Sequence, residues 1–323
     1  MIIVTGASGH IGNVLVRTLL KQGYEVGVTD LDPENDPILK TLNVKTYKGD
    51  IRDLDFLIET FKDAEYVFHI AGIVAIAPGK EDLMYSVNIQ GTKNVVEACI
   101  KTNVKRLIYT SSVHALYEPP MGEMMIEKLA TTTDEVFGEY AKTKVLATRE
   151  VLKGIERGLD AVITYPSGVI GPYDFKSSEM GEMVKSYAQG KYKYYIDGAY
   201  NFVDVRDVAN GLCLAMSKGK KGEGYILAGE KITVKELFKI VSKLKNIPEP
   251  KVKIPMTIAK ILAPLALVYY TITKQTPVFT PYSLAVLESN SDISSQKAIK
   301  KLGYSYRSIE DSLTDIIKWT KRY

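Results

Sequence analysis

An α/β fold of the doubly wound, Rossmann type, with a smaller mixed α/β lobe toward the C-terminal end, is what this sequence predicts. Three observations carry the prediction. Short apolar runs alternate with helical patterns across the first 170 residues. A glycine-rich turn lies between the first apolar run and the first helical one. After Pro166 the alternation breaks into loops and shorter pieces. With 323 residues, the chain is long enough for about two domains at roughly 150 residues each. The expected division is 1–170 for the first domain and 171–323 for the second lobe, with 200–230 returning to pack on the first.

Ile2-Ile3-Val4 reads as a short buried strand. Ile11 to Lys21 has helical spacing, with Ile11, Leu15, Leu19 and Leu20 on one side. Strands follow at Tyr24 to Thr29, Val44 to Tyr47 and Tyr66 to Ile70, with a helix from Leu54 to Phe61. A long helix is predicted over Val87 to Lys101, a strand over Arg106 to Thr110, a helix over Tyr140 to Arg157 and a strand over Asp160 to Tyr165. This rhythm means a parallel sheet covered on both faces, with right-handed crossovers. Beyond it, helices are expected over Met180 to Gln189, Val205 to Ser217, Val234 to Leu244 and Ile309 to Thr320. Thr233 with Glu236 three residues on gives the third of these a capping box. Tyr225 to Leu227 reads as a late strand.

Composition narrows the class. Hydrophobic residues make up 46% and charged residues 25%, the balance of a globular chain rather than a disordered or fibrous one. A net charge of +4 with no block of five or more like charges gives no footprint for nucleic acid. Cys99 and Cys213 lie far apart in apolar contexts and read as free buried thiols, which fits a reducing, cytoplasmic compartment. His10, His69 and His114 have no metal-ligand spacing, so no metal is expected. The N-terminus runs straight into the glycine turn and does not read as a signal peptide.

Gly6-Ala7-Ser8-Gly9-His10-Ile11-Gly12 stands where a dinucleotide pyrophosphate would be held. Glycine allows the tight turn and close backbone approach, and helix N-terminal amides attract the anion. Gly6, Ser8, Gly9, His10, Ile11 and Gly12 are the cofactor-binding candidates here. The second strand ends at Asp30, whose carboxylate can take both adenosine ribose hydroxyls. Leu31, Asp32, Pro33 and Glu34 follow it and bring no base for a 2′-phosphate, so NAD is expected to be preferred over NADP. Asp50 can accept from the adenine amino group, or cap the next helix, and Ile51 can lie on the ring. Ala71 and Gly72 are small enough for the cofactor to cross the sheet edge.

Strand five ends in Thr110-Ser111-Ser112, and Tyr140 and Lys144 are four apart on the helix after it. A nearby ammonium lowers a phenol's pKa from about 10. Such a tyrosine can give a proton to a carbonyl oxygen as hydride arrives, while a serine hydroxyl holds that oxygen.

As an ordered set these segments resemble the extended short-chain dehydrogenase/reductases, the NAD-dependent epimerase/dehydratase family. The set also takes in Gly49-Asp50-Ile51-Arg52-Asp53, His69-Ile70-Ala71-Gly72, Val87-Asn88-Ile89-Gln90-Gly91-Thr92 and Phe202 to Ala209. The likeness within the family is to the dihydroflavonol-4-reductase and 3-beta-hydroxysteroid dehydrogenase group, through Ser111 to Ala115 and Tyr165 to Pro172. It implies Ser112, rather than Ser111, as the catalytic hydroxyl, Tyr140 as general acid/base and Lys144 on the nicotinamide ribose. It also implies Asn88 as a further catalytic residue, on the helix after strand four, and Pro166, Gly168 and Val169 beside the cofactor. Three functions are open on this resemblance: an NAD-dependent reductase or dehydrogenase, a nucleotide-sugar epimerase with retained NAD, and a non-catalytic NAD-binding or sensing protein.

Other features admit plainer readings. His69 is expected in the core, His10 facing away from the pyrophosphate amides, and His114 either at the substrate mouth or structural. Asp204, Arg206 and Asp207 read as a salt-linked scaffold. Tyr192, Tyr194, Tyr195 and Tyr200 either stack on an apolar or cyclic small-molecule substrate or cover the lobe's own core. The apolar stretch Ile254 to Ile272 has an uncharged part too short for the ~20 residues of a membrane span. It reads as a buried lobe helix, a flap over an apolar substrate, or a contact with a membrane surface or a second copy in a homodimer, with Pro264 kinking or dividing it.

Overall fold

The structure is a computed structural model that describes residues 1–74, 79–273 and 279–321, and the side chains of all these except 267–271. Strand β1 (Ile2–Thr5) is buried along its whole length, as an apolar run with no polar alternation requires. Helix α1 (His10–Lys21), β2 (Val26–Asp30), β3 (Lys45–Lys48), α2 (Leu54–Phe61) and β4 (Tyr66–His69) follow. Next come α3 (Glu81–Tyr85), α4 (Thr92–Lys101), β5 (Arg106–Thr110), α5 (Glu139–Glu156) and β6 (Ala161–Pro166). The predicted helix over Val87 to Lys101 differs in one respect. Ser86–Gly91 forms a π-helical turn that joins α3 to α4. Gly91 on that turn leaves room for Ile51, whose Cδ1 lies 2.5 Å from where a Cβ would stand.

The remainder is β7 (Gly168–Ile170), α6 (Glu179–Ala188), β8 (Tyr194–Tyr195), β9 (Ala199–Asp204), α7 (Val205–Lys218) and β10 (Gly224–Leu227). Then come β11 (Glu230–Thr233), α8 (Val234–Lys245), β12 (Val252–Lys253), α9 (Met256–Thr273), α10 (Pro281–Glu288), α11 (Gln296–Leu302) and α12 (Ile309–Trp319). The main sheet has seven strands in the order β10-β6-β5-β4-β1-β2-β3, all parallel. Chain direction across the sheet reverses between β1 and β4, and ligands of such sheets bind outside the strand ends at that switch point. β10 comes from well beyond residue 170 yet pairs with β6, and α7 packs on α1.

Alternate residues of each strand feed opposite cores. Ile2, Val4, Phe68, Ile108 and Val162 face one, and Ile3, Val67, Leu107 and Ile163 face the other. A third core holds the lobe together around Tyr187 and Phe238, whose rings stack 3.9 Å apart. The tyrosine cluster largely belongs here. Tyr192 stacks on Phe238, Tyr195 packs against the same core, and Tyr194 is exposed. Tyr200 alone of the four lines a cavity on the substrate side of the lobe.

The apolar stretch departs from a buried lobe helix. Ala259 and Ala263 pack with Leu284 of α10, whereas Ile261 and Leu265 are 73% and 66% exposed. Pro264 does not divide the helix. Leu267 and Val268 lie outside the described side chains. Among the described residues no helix is long and apolar enough to cross a membrane.

Ion pairs bind the last helices to the sheet. Asp204 caps α7, accepting from the Arg206 N–H, and pairs with the Arg206 guanidinium at 2.8 Å. Arg206 also reaches Asp315 of α12, and Arg307 bonds Asp207 at 2.8 Å. Removing one partner of a buried pair strands the other charge. Arg307→Leu leaves the Asp207 carboxylate, 6% exposed, without its cation. A loss of about 3 kcal/mol is expected in urea unfolding. A loss below about 0.5 kcal/mol, the range of an ordinary surface substitution, would remove the pair from the scaffold.

Candidate active site

The C-terminal ends of β1 and β4 are locked together by one hydroxyl. Thr5 Oγ1 accepts from the N–H groups of Ile70 and Ala71, both at 3.2 Å, and donates to His69 Nδ1 at 2.8 Å. His69 Nε2 then donates to Thr92 Oγ1 at 3.0 Å, and Thr92 donates to the Asn88 carbonyl at 2.6 Å. Burial, with Lys144 nearby, pushes the His69 imidazolium down to about 3, so the ring is neutral. The glycine turn folds over this point. A Cβ on Gly12 would stand 2.2 Å from the Gly6 carbonyl oxygen, and one on Gly6 would stand 2.6 Å from Ala71 Cα.

A cleft of about 800 Å³ opens there. Of the cofactor candidates, Gly6, Ser8, Gly9, His10, Ile11, Asp30, Asp50, Ile51, Ala71, Gly72, Pro166 and Val169 border it, as do Ser112 and Tyr140. Gly12 lies beneath the turn as a packing residue. Gly168 lines a second, smaller cavity instead, because successive residues of β7 face opposite sides. His10 Nε2 donates to the Pro172 carbonyl at 3.0 Å, tying the turn to the second lobe.

Two carboxylates differ from expectation. Asp30 Oδ2 already accepts from the Ser8 N–H and hydroxyl, at 3.1 and 2.6 Å, and Oδ1 from the Leu31 N–H. Asp50 holds Arg52 through both oxygens, the closest contact being 2.6 Å, and Arg52 keeps its carboxyl below the usual range. Its part toward an adenine amino group would be shared with that pair, and Asp53 is the cap of α2. A base does approach Asp30, from distant sequence: Lys176 Nζ donates to Ser8 Oγ at 2.7 Å and pairs with Asp36 at 3.4 Å. No spacing in the sequence could have found it.

The residues fit a dinucleotide. The glycine cradle leaves close backbone access. The hydroxyls of Thr29 and Ser167, both bordering the cleft, are buried without a hydrogen-bond partner among the described residues. No group of three His, Cys, Asp or Glu among those residues could hold a metal ion.

At the inner end of the cleft the two serines part. Ser111 Oγ bonds Thr148 of α5 at 2.8 Å, facing inward. Ser112 lines the cleft beside Tyr140, and its hydroxyl accepts from the His114 N–H at 3.3 Å. Lys144 Nζ donates to the Thr110 carbonyl at 3.0 Å, behind Gly72. The expected lowering of the Tyr140 phenol is overturned. Burial pushes it up to about 12, with the neighbouring Ser112 hydroxyl acting the other way. Lys144 itself is driven down to about 8 by burial. Asn88 does not reach the reacting end. Its Oδ1 accepts from the Ile73 N–H at 2.7 Å and its Nδ2 donates to the Ile73 carbonyl and to Thr143, which makes it a positioning residue. The His114 ring stands edge-on to Tyr140 at 6.4 Å, and burial holds it neutral, at about 4.

The NAD dependent epimerase/dehydratase family model matches residues 2–228, which include the glycine turn, Ser112, Tyr140 and Lys144. The chain belongs to that family. It is an NAD-dependent oxidoreductase family built on the Rossmann fold. The chain is 30% identical to sterol demethylase protein B of Methylococcus capsulatus, over 98% of this chain and 97% of that protein. It is 31% identical to the decarboxylating sterol-4-alpha-carboxylate 3-dehydrogenase of Mus musculus, over 93% and 85%. The crystal structure of gox2253 superposes with a TM-score of 0.87 at 32% identity, covering 100% of this chain and 98% of that one.

Lys144 has a measurable cost. Its pKa falls from 10.5 to about 8 on folding, so between those values the unfolded chain binds more protons. Parent stability therefore rises with pH across that window, and below pH 8 the buried ammonium is a penalty. Lys144→Met removes the penalty but leaves the Thr110 carbonyl without its donor. The variant is expected to be more stable by about 1 kcal/mol at pH 7, with the advantage gone by pH 10. Urea titrations at both pH values check this, and an advantage that did not shrink would contradict the buried-charge reading.

Proposed function

We propose that the chain is an NAD(H)-dependent reductase or dehydrogenase that interconverts a ketone or aldehyde and its alcohol on a small apolar substrate. The observation that carries this reading is the Ser112–Tyr140 pair. Tyr140 borders both the large cleft and a second cavity of about 190 Å³. Bound NADH supplies the hydride. Ser112 holds the carbonyl oxygen, Tyr140 gives it a proton, and Lys144 orients the cofactor ribose from behind. With its phenol near 12, Tyr140 starts protonated, as a donor must. Tyr85, Glu139 and Lys142 form a hydrogen-bonded set at the start of α5 that steadies this end of the helix.

The smaller cavity supports an apolar substrate. Val113, Leu116, Met125, Val136 and Val286 are among its walls. No Lys or Arg is among its described lining residues, which disfavours a nucleotide-sugar, whose diphosphate calls for charge-assisted clamps. The sterol named in two relatives points to an apolar ring system. NADH oxidation with a panel of cyclic ketones tests the reading, and Tyr140→Phe is expected to lower kcat/KM at least a hundredfold. Full turnover by that variant would dismiss Tyr140. Sugar interconversion with tightly retained NAD would favour the epimerase reading instead.

NAD is the preferred cofactor on this reading. A 2′-phosphate would bring like charge to Asp30, which Lys176 offsets only in part because it already serves Ser8 and Asp36. NADH should bind roughly tenfold tighter than NADPH, about 1.4 kcal/mol. Asp30→Asn should narrow the gap in fluorescence titrations. Equal affinities in the parent would defeat the preference.

A further inference from the structure

Where the large cleft meets the smaller cavity, Val74, His114, Tyr140, Glu179 and Met180 border both. Glu179 is the acid among them. It opens α6, whose cap is Ser178, accepting from the Gly181 N–H. Ser178 is in turn gripped by Asp174 through its N–H and hydroxyl. A glutamate in a first helical turn ordinarily leans toward free backbone N–H groups and solvent. This one is turned in toward the phenols of Tyr140, Tyr200 and Tyr282, each of which feels its charge. It has no hydrogen-bond or ion-pair partner among the described residues.

The other carboxylates of the smaller cavity are engaged. Glu118 accepts from the Asn290 N–H and Glu135 from the Thr131 N–H. With no Lys or Arg among the described lining residues and His114 held neutral by burial, an acidic substrate would meet only like charge there. A half-buried carboxyl at the meeting of two cavities, left without a partner, is costly to hold charged, and a ligand that donates to it removes part of that cost.

Resting on the reductase reading, we propose that Glu179 determines substrate class: its carboxyl takes a hydroxyl of a neutral, apolar ring substrate and turns carboxylate substrates away. Sequence gives no hint of this role, since Glu179 reads only as an acid at a helix start. Its inward position comes from the Asp174–Ser178 grip and the aromatic walls. The carboxyl positions the substrate and moves no proton in the reaction.

Adamantanol and adamantanecarboxylate are matched rigid probes that need no turnover. Each is titrated by calorimetry into the NAD-saturated chain at pH 8.5 and pH 6. Burial raises the Glu179 carboxyl to about 7, between the two conditions. His114 at about 4 and Tyr140 at about 12 titrate outside that window. Tyr200, Tyr282, Glu118 and Glu135 complete the groups facing it from the cavity side, and Lys176 borders the cleft on the other.

The parent is expected to bind the alcohol at least tenfold tighter than the carboxylate at pH 8.5. At pH 6 the gap should close to about threefold, because a protonated Glu179 can donate to the anion. Glu179→Gln should show the small gap at both pH values. Equal affinities in the parent at pH 8.5, a gap untouched by Glu179→Gln, or no binding of either probe would overturn the proposal. Lys144, at about 8, also titrates in this window, so the same pH comparison in Lys144→Met decides the matter even if Glu179→Gln fails to fold: the closing of the gap should persist there, and its absence would overturn the proposal. Loss of discrimination with NADH turnover intact would sink this proposal alone, and discrimination without turnover would sink the reductase reading alone.

Discussion

Thr5 Oγ1 uses both of its lone pairs and its one proton at the switch point of the sheet. Its acceptor sites fix the backbone of Ile70 and Ala71 just where the Gly6 turn must pass over Ala71 without a side chain between them. Its proton fixes the His69 tautomer, which fixes Thr92 and hence the carbonyl of Asn88. The side chain of Asn88 then holds Ile73. The floor of the cofactor cleft is thus one continuous hydrogen-bonded line from β1, through β4, to the helix beyond it. The side chains on that line, Thr5, His69, Thr92 and Asn88, are all buried, so their bonds would be expensive to leave unmade.

The parallel sheet was legible in the sequence because its central strands, such as β1 and β6, are buried on both faces and read as largely apolar runs, although the edge strand β3 is polar and exposed at its ends. The glycine turn, Asp30, Ser112 and Tyr140 were legible because their neighbours in space are close in sequence or lie at the ends of consecutive strands. The π turn at Ser86–Gly91 was not, since Asn88, Gly91 and Thr92 suit either helix type locally and only tertiary hydrogen bonds select the wider one. Lys176 and Glu179 were not, because they arrive on the second lobe from more than 130 residues beyond Asp30. The tyrosine cluster left two readings open that only a distant residue could decide. Its spacing suited a stacking surface, but Phe238 supplies the stacking partner within the lobe.

Electrostatics within the cleft track burial more than pairing. Tyr140 is raised, His114 is lowered and Lys144 is lowered, each chiefly by loss of solvent. All three shifts favour the uncharged form, so above pH 8, where Lys144 gives up its proton, the reacting end of the cleft holds little fixed charge of its own. Around it the charges are paired: Asp50 with Arg52, Lys176 with Asp36, and Glu139 with Lys142. A low-charge centre within a paired rim suits a neutral reacting carbonyl and concentrates the effect of any single unpaired group.

The π turn also makes length a constraint as strict as identity. A π turn carries one residue more than an α-helical turn. Deleting any one residue of 86–91 would let the helix close into regular form. The flanking helices would keep their faces, but the residues of the turn itself would shift by one position along it. Asn88, which grips Ile73 on one side and Thr143 on the other, would lose one of those holds even if every functional residue were retained. The helix therefore works as a spacer of fixed count. Its tolerance to substitution at exposed positions such as Gln90 would far exceed its tolerance to a single lost residue.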